Sequence, residues 1–409
     1  MSEKRVVLQQ PWFVMAIAFF AQTSGSTVSQ SVYPLMAVWQ AAFSLSQGEA
    51  ALPVTLMNGG QIISMILLAR AIDRHGERAV VSCSMLAMAA MALVTAAYAQ
   101  SFYALLPGLA MIGALYAAVP LGGSRAVIAW FPPERRGLAT GLLQGAVPLG
   151  SVVAGGLMPV IALWASWRAA LVALGLIGIC GGLAFWCFYR GHGLAVASKK
   201  RSEIPLRDLL RLLRRTPGYL RLLLAGIAMT SLQFALTAHI IFFLMSAFEY
   251  SIAMAAALFS LIQIAGLASR LLLPWMGDHV FPGQRIPFLA AIMTGAAVAT
   301  TVLAFLPPDT PNWLVSLTLV CFGVCGVGWY PLFLLQISEM APGSAVAATV
   351  GVGTTLCKIA MAVVPLLFGF LVDGSGYLWA WASVTLPIFA LAAALWTLPR
   401  AAMLEQPDK

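Results

Sequence analysis

VAATVGVGTTLCKIAMAVVPLLFGFLV, residues 346–372, is an apolar run interrupted by one lysine, Lys358, near its middle. A helix needs about 20 apolar residues to cross the hydrocarbon core of a bilayer, so the run is read as a membrane span. At ~1.5 Å rise per residue Lys358 lies roughly 18–21 Å from either end, too deep for its stem to reach an interface. A cation at that depth costs on the order of 2.5–3.5 kcal/mol on insertion scales. All 14 aspartates and glutamates fall in loops, tails or span ends. With no internal counter-ion in the sequence, a negatively charged ligand is the simplest partner for Lys358.

Eleven further apolar runs surround this one. They fall at about 11–40, 50–70, 79–99, 102–130, 137–164 and 168–190, then at 219–248, 252–276, 286–306, 311–338 and 376–399. Each suits a transmembrane helix and is too long for a transmembrane strand. The chain of 409 residues is 61% hydrophobic and 9% charged; a soluble protein would carry about 25% charged residues. The net charge of +9 sits beside the spans, where it sets topology, and does not indicate a nucleic-acid partner. The basic residues Lys4, Arg5, Arg70, Arg74, Arg78, Arg135 and Arg136 share one side with a cluster from Arg190 to Arg221, and with Arg285, Arg400 and Lys409. That side is expected to be cytoplasmic, with both termini on it. The first run lacks a clear cleavage site and is read as the first span rather than a signal peptide.

Residues 191–218 divide the chain into an N-terminal unit, 1–190, and a C-terminal unit, 219–409. Within the connector, Leu206, Leu209, Leu210, Leu212 and Leu213 alternate with Arg207, Arg211, Arg214 and Arg215. This pattern suits an amphipathic helix on the inner leaflet or a solvated basic linker. The two units echo each other at a spacing of 205 residues: Asp73 with Asp278, Glu134 with Glu339, and Asn58 with Gln263. Six cysteines lie in apolar runs without metal-ligand spacing and read as packing residues.

Arg270, in the 252–276 run, lies about 10 Å from the nearer loop at helical rise. Its guanidinium fork suits a carboxylate, which it can bind with two parallel charge-assisted hydrogen bonds. Arg125 is shallower, near Trp130 and Glu134, and reads as an anchor or loop latch. His239 is a lone histidine deep in a span, either a carrier of a coupling proton or a neutral, satisfied core residue. Tyr33, Tyr116, Trp329 and Tyr330 offer hydroxyl and indole donors to a small anion, or pack as core. Asn58, Gln144, Gln263 and Gln336 are amides within spans, suited to the same cavity or to helix–helix bonds. No nucleophile–base pair and no metal cluster lies within the spans, which excludes common enzyme chemistries.

Residues 69–78, Ala-Arg-Ala-Ile-Asp-Arg-His-Gly-Glu-Arg, resemble the loop signature of the major facilitator superfamily, Gly-x-x-x-Asp-Arg-x-Gly-x-Arg. Asp73, Arg74, Gly76 and Arg78 match, and Ala69 replaces the leading glycine. A weaker copy runs through Gly277, Asp278, Gly283 and Arg285. A carboxylate at a helix end among arginines can latch one conformation; the candidates are Asp73, Arg74, Gly76, Arg78, Arg125, Glu134 and Asp278. Within that superfamily the C-terminal unit resembles the oxalate–formate antiporters and monocarboxylate transporters. Their eighth helix bears an arginine like Arg270, and the oxalate–formate antiporters place a lysine as Lys358 is placed. Ser31-Val-Tyr33-Pro34-Leu35 is similar to their first helix. Leu35 stands where the animal carriers have lysine, and Gly266 stands where they have an aspartate beside the arginine.

The resemblance implies an all-α membrane protein with twelve transmembrane helices in two pseudo-symmetric six-helix halves, the major facilitator fold. It implies a secondary transporter, an antiporter or symporter, for small organic anions such as mono- or dicarboxylates. Arg270 and Lys358 are expected to hold the carboxylate, with Tyr33, Tyr116, Trp329, Tyr330, Asn58 and Gln263 around it and His239 as a proton-coupling candidate. An inorganic-anion carrier, for nitrate or cyanate, and an efflux pump for hydrophobic compounds are the rival readings. Expected partners are the small anion, the lipid bilayer and a coupling proton or counter-anion, with no cofactor, no metal and no nucleic acid. The chain is expected as a monomer in a plasma membrane of bacterial inner-membrane type.

Overall fold

A computed structural model describes residues 10–190, 213, 216–340 and 346–397. Most of the 191–218 connector, including all of the basic amphipathic stretch at 206–215 except Leu213, lies outside the described residues. The molecule is an all-helical membrane protein. Ten stretches among the described residues, Gln47–His75 through Thr349–Trp396, are long and apolar enough to cross a bilayer. Large apolar side chains such as Ile63, Phe305 and Leu386 cover its outside, as expected for a surface solvated by lipid tails.

The helices, in chain order, are α1 (Pro11–Gln30), α2 (Val32–Phe43), α3 (Gln47–His75), α4 (Glu77–Tyr98), α5 (Phe102–Tyr116), α6 (Ala118–Trp130), α7 (Pro133–Trp164) and α8 (Trp167–Phe188). After the connector come α9 (Tyr219–Phe248), α10 (Ile252–His279), α11 (Arg285–Phe305), α12 (Asn312–Phe322), α13 (Tyr330–Glu339) and α14 (Val346–Trp396). Ser31 keeps helical angles between α1 and α2, so they form one bent rod. A π-helical turn, Gly323–Val327, lies between α12 and α13. Within α14 the helix breaks at Gly376, where φ is 79°; glycine takes that left-handed conformation without a Cβ clash. Phe368 and Trp381 meet across the break at a ring distance of 4.6 Å, so the chain doubles back there.

Serine caps define several helix starts. Ser46 Oγ accepts from Glu49 N while Glu49 Oε2 accepts from Ser46 N, a reciprocal capping box that fixes where α3 begins. Ser101, Ser166 and Ser251 cap α5, α8 and α10 one way, each hydroxyl accepting from the amide three residues on. α3 and α4 are separated by Gly76 alone, at φ 81°.

One side of the molecule carries the ends of the described chain, the α3–α4 turn and the α10–α11 loop; the other carries the starts of α3, α5 and α8. We call these the terminus side and the far side. On the far side the rings of Phe43, Phe102 and Trp167 cluster. Two seams join helices from before and after the connector. In the first, Thr55 Oγ1 of α3 donates to Ala362 O of α14 at 2.7 Å. In the second, Ser260 of α10 donates to Val152 O of α7 at 3.4 Å, and Gly145 of α7 meets Leu267. One turn toward the terminus side, Gly59 on α3 and Gly141 on α7 have open space where a Cβ would stand. Both seams are thus in direct contact toward the far side, and these two glycines have free space beside them nearer the terminus side.

Candidate functional site

Arg270 stands in the second seam, beside the Gly145–Leu267 contact. Its Nε donates to Val327 O at 3.3 Å and its Nη1 donates to Gln144 O of α7 at 3.2 Å. Val327 closes the π-helical turn, and such a turn disturbs the regular ladder, a feature found often at functional positions. The turn approaches α10 closely because Gly266 faces it: a Cβ there would stand 2.5 Å from Val327. Tyr116 and Tyr330 lie within electrostatic range of the guanidinium. Among the described residues, no carboxylate oxygen lies within 4.0 Å of the nitrogens of Arg270 or Lys358.

Lys358 sits on α14 one turn to the terminus side of Ala362, on the face that meets α3 further up the seam. Its neighbour Cys357 is buried against Thr230 and lies near Tyr330, which in turn lies near Arg270. Tyr330 is thus the shared neighbour of Arg270 and of the α14 turn that carries Lys358. From the first helices come neutral groups. Tyr116 Oη shares a 2.9 Å hydrogen bond with Ser26 Oγ, and Asn58 Nδ2 donates to Tyr33 Oη at 3.5 Å. Tyr33 and Tyr116 lie near each other. The structure therefore brings Arg270, Tyr330, Tyr116, Tyr33 and Asn58 into one neighbourhood, with Ser26 added.

Other expected residues lie elsewhere. Trp329 is 1% exposed and its indole N–H is committed to Gln233 Oε1 at 2.9 Å, so in this conformation it has no donor for a solute. Gln263 is buried on α10 two turns from Arg270, about 10 Å along the axis. His239 is fully buried at the far side, with Nε2 on Pro365 O at 2.8 Å and Nδ1 facing Gln47 Oε1 at 3.4 Å. A carbonyl only accepts, so Nε2 carries the proton. His239 belongs to the first seam and not to the Arg270 neighbourhood.

The terminus-side charges form two networks. Arg125 pairs with Asp73 and, at 3.5 Å, with Glu77, which also accepts from Tyr189 Oη at 2.8 Å. The sequence pointed Arg125 toward Glu134, whose side chain lies outside the described residues; the pairing found is with Asp73 and Glu77. Arg78 does not join that pair: it donates twice to Trp186 O, at 2.8 and 2.6 Å, and lies over the Trp186 ring. Arg74 is exposed, and Gly76 makes the tight turn. The second network joins Arg285 to Asp278 and Glu339, both of which the 205-residue repeat had singled out.

Sequence reading missed Glu77, Ser26, Gln47 and Asp373. A signal existed for two of them. The run AQTSGSTVSQS, residues 21–31, is unusually polar for a span, and Gln22 Oε1 and Thr23 Oγ1 within it are buried without a hydrogen-bond partner. Glu77 stands four residues after Asp73, across the Gly76 turn.

The sequence pattern of the Major Facilitator Superfamily matches residues 12–365. The chain belongs to the major facilitator superfamily. Two proteins of Mycobacterium tuberculosis, from strains CDC 1551 and H37Rv, are described as uncharacterized transporters of this type; each is 26% identical over 391 residues, covering 93% of this chain and 83% of the relative. An uncharacterized transporter of Bacillus subtilis, YybO, is 32% identical over 79 residues, 19% of this chain and 18% of that protein. Among solved structures, a bacterial homolog to the human lysosomal transporter Spinster matches in an inward-facing, occupied form with TM-score 0.70 and 15% identity, over 98% of this chain and 96% of that one. Its inward-facing, unoccupied form matches with TM-score 0.68 and 17% identity, over 96% and 93%. These likenesses carry the fold. Superfamily members are transporters rather than enzymes, and such a transporter binds a small substrate within the membrane.

Proposed function

We propose that the chain is a secondary transporter of small organic anions, mono- or dicarboxylates, working by alternating access. In this reading twelve spans form two six-helix halves, residues 1–190 and 219–409, joined by the 191–218 connector. The terminus side is cytoplasmic, as the basic residues argue, and the described conformation is inward-facing. Arg270 and Lys358 hold the substrate carboxylate, while Tyr330, Tyr116, Tyr33 and Asn58 meet the rest of the solute.

One observation carries this reading: two cations at membrane depth have no carboxylate beside them among the described residues. Among the described residues, Arg270 is held by main-chain carbonyls, Val327 O and Gln144 O. Two carbonyls satisfy two of its five N–H groups and leave its charge uncompensated. A carboxylate between Arg270 and Lys358 supplies that charge. Because Gln144 belongs to the other half, a ligand on Arg270 also acts on the bond that ties α10 to α7. Closure over the solute is then favoured by neutralisation, whereas an empty site would bring two like charges together, which favours exchange over leak. The driving ion is a proton or a counter-anion.

Reconstituted into liposomes, the wild type is expected to take up labelled small carboxylates. Arg270→Gln and Lys358→Gln are each expected to lower uptake at least about 100-fold, the usual scale for losing a charged contact to a buried anion. Undiminished uptake in both variants would overturn the assignment.

A further inference from the structure

A helix start leaves its first backbone N–H groups without intrahelical partners. At the start of α3, Glu49 N is taken by Ser46 Oγ. Gln47 N and Gly48 N instead donate to Asp373, to Oδ1 at 2.9 Å and to Oδ2 at 2.8 Å. Asp373 lies more than 300 residues away, at the far-side end of the first arm of α14. A carboxylate receiving two amides at a helix N-terminus also meets the positive end of the helix dipole.

We infer that Asp373 is the outer-gate latch of this transporter: by capping α3 from the opposite half, it sets how readily the far side opens. The inference rests on the alternating-access reading above, in which this seam has to part before a solute can reach the site from outside. The local packing is built for this contact. A Cβ on Gly48 would stand 2.4 Å from the Phe370 ring, and one on Gly369 would stand 2.6 Å from Gln47 O. The Gln47 side chain also lies beside His239 Nδ1 of α9, at 3.4 Å. The other ionisable groups at the contact are Glu49, bonded to its own cap and to Tyr103 Oη at 3.4 Å, and Tyr377, which feels Asp373. No basic side chain among the described residues pairs with Asp373. Two helix-start amides are its partners, and opening the seam releases all three groups to water together.

Hydrogen exchange on the full-length protein in liposomes reads both sides of the molecule at once. In Asp373→Asn, exchange over residues 47–56 and 362–372 is expected to rise about tenfold, the scale of one lost charged cap. Exchange over 138–145 and 349–358 is expected to fall, because the terminus side closes as the far side opens. Gly48→Ala, which wedges the same contact, is expected to give the same reciprocal pattern. Glu49→Gln weakens the cap within its own helix and is expected to fray residues 47–50 without any fall at the terminus side. No change in Asp373→Asn, fraying alone, or a rise throughout the chain would each overturn the latch. Uptake separates the two proposals: if the wild type carries carboxylates but Asp373→Asn lacks the reciprocal fall, the latch fails and the transport reading stands. If the reciprocal pattern appears but no carboxylate is carried, the latch stands and the cargo assignment fails.

Discussion

The segments before and after the connector use positive charge differently. In residues 10–190, Arg78, Arg125, Arg136 and Arg168 lie toward helix ends, and each finds a carboxylate or a main-chain carbonyl. In residues 216–397, Arg285 does the same with Asp278 and Glu339. That segment adds Arg270 and Lys358, which lie deep and have no acidic partner among the described residues. The first segment contributes hydroxyls and an amide to the neighbourhood of Arg270: Ser26, Tyr33, Tyr116 and Asn58. Charge near the membrane surface anchors helices at little cost, whereas charge at depth is a burden that persists where a ligand relieves it.

The sharpest way to break this contrast is Lys358→Met. If the lysine serves only the solute, removing it takes an uncompensated cation out of the membrane. Unfolding of the purified protein is then expected to become harder by about 1–3 kcal/mol, a rise of about 1–4 °C in melting temperature, while carboxylate uptake is lost. If Lys358 instead holds the fold together, the same substitution lowers the melting temperature. The two outcomes have opposite signs, so one thermal scan with an uptake measurement decides between them.

The second effect tests whether the deep arginine depends on its main-chain support. Gly266→Val places branched bulk where a single Cβ already approaches Val327 to 2.5 Å, forcing α10 away from the π-helical turn. Overpacking of this kind costs about 1–3 kcal/mol. The expected result is a rise in KM of roughly tenfold as the guanidinium leaves Val327 O, since misplacement by about 1 Å has effects of this order or larger. Gly156→Val, where a Cβ meets nothing within 4 Å, is expected to leave KM unchanged.

These tests depend on features with unequal visibility in the sequence. The spans were legible because a run of about 20 apolar residues has few other uses. Arg270 and Lys358 were legible because a charge inside such a run is conspicuous. Val327 O and Gln144 O were not, since every residue has a carbonyl and only three-dimensional packing says which is left for a side chain. The π-helical turn has no side-chain signature beyond its glycines. Trp329 was read either as a donor to the cavity or as core, and only the fold shows that Gln233, on another helix, takes its N–H. Asp373 passed as a loop residue because its partners are two main-chain amides brought together by the fold. Pairings between side chains near in sequence, such as Arg285 with Asp278, were easier to foresee than those that cross the molecule.

The smallest expected effect sharpens the other side of the contrast, the surface charges of the first segment. Asp73 is 74% exposed in its side chain while its partner Arg125 is 21% exposed, and Arg125 also reaches Glu77. An exposed carboxylate contributes about 0–1 kcal/mol to an ion pair because water and salt screen it. Asp73→Asn is therefore expected to change thermal stability by less than about 1 kcal/mol, with the difference shrinking further in 1 M salt, where the Debye length falls to about 3 Å. Glu77→Gln removes a carboxylate that is 11% exposed and bonded by both Arg125 and Tyr189. Its expected cost is larger, about 1–3 kcal/mol, and depends less on salt. Equal effects from the two substitutions would mean that exposure does not govern these charges, and the distinction between surface anchoring and deep charge would lose its physical basis.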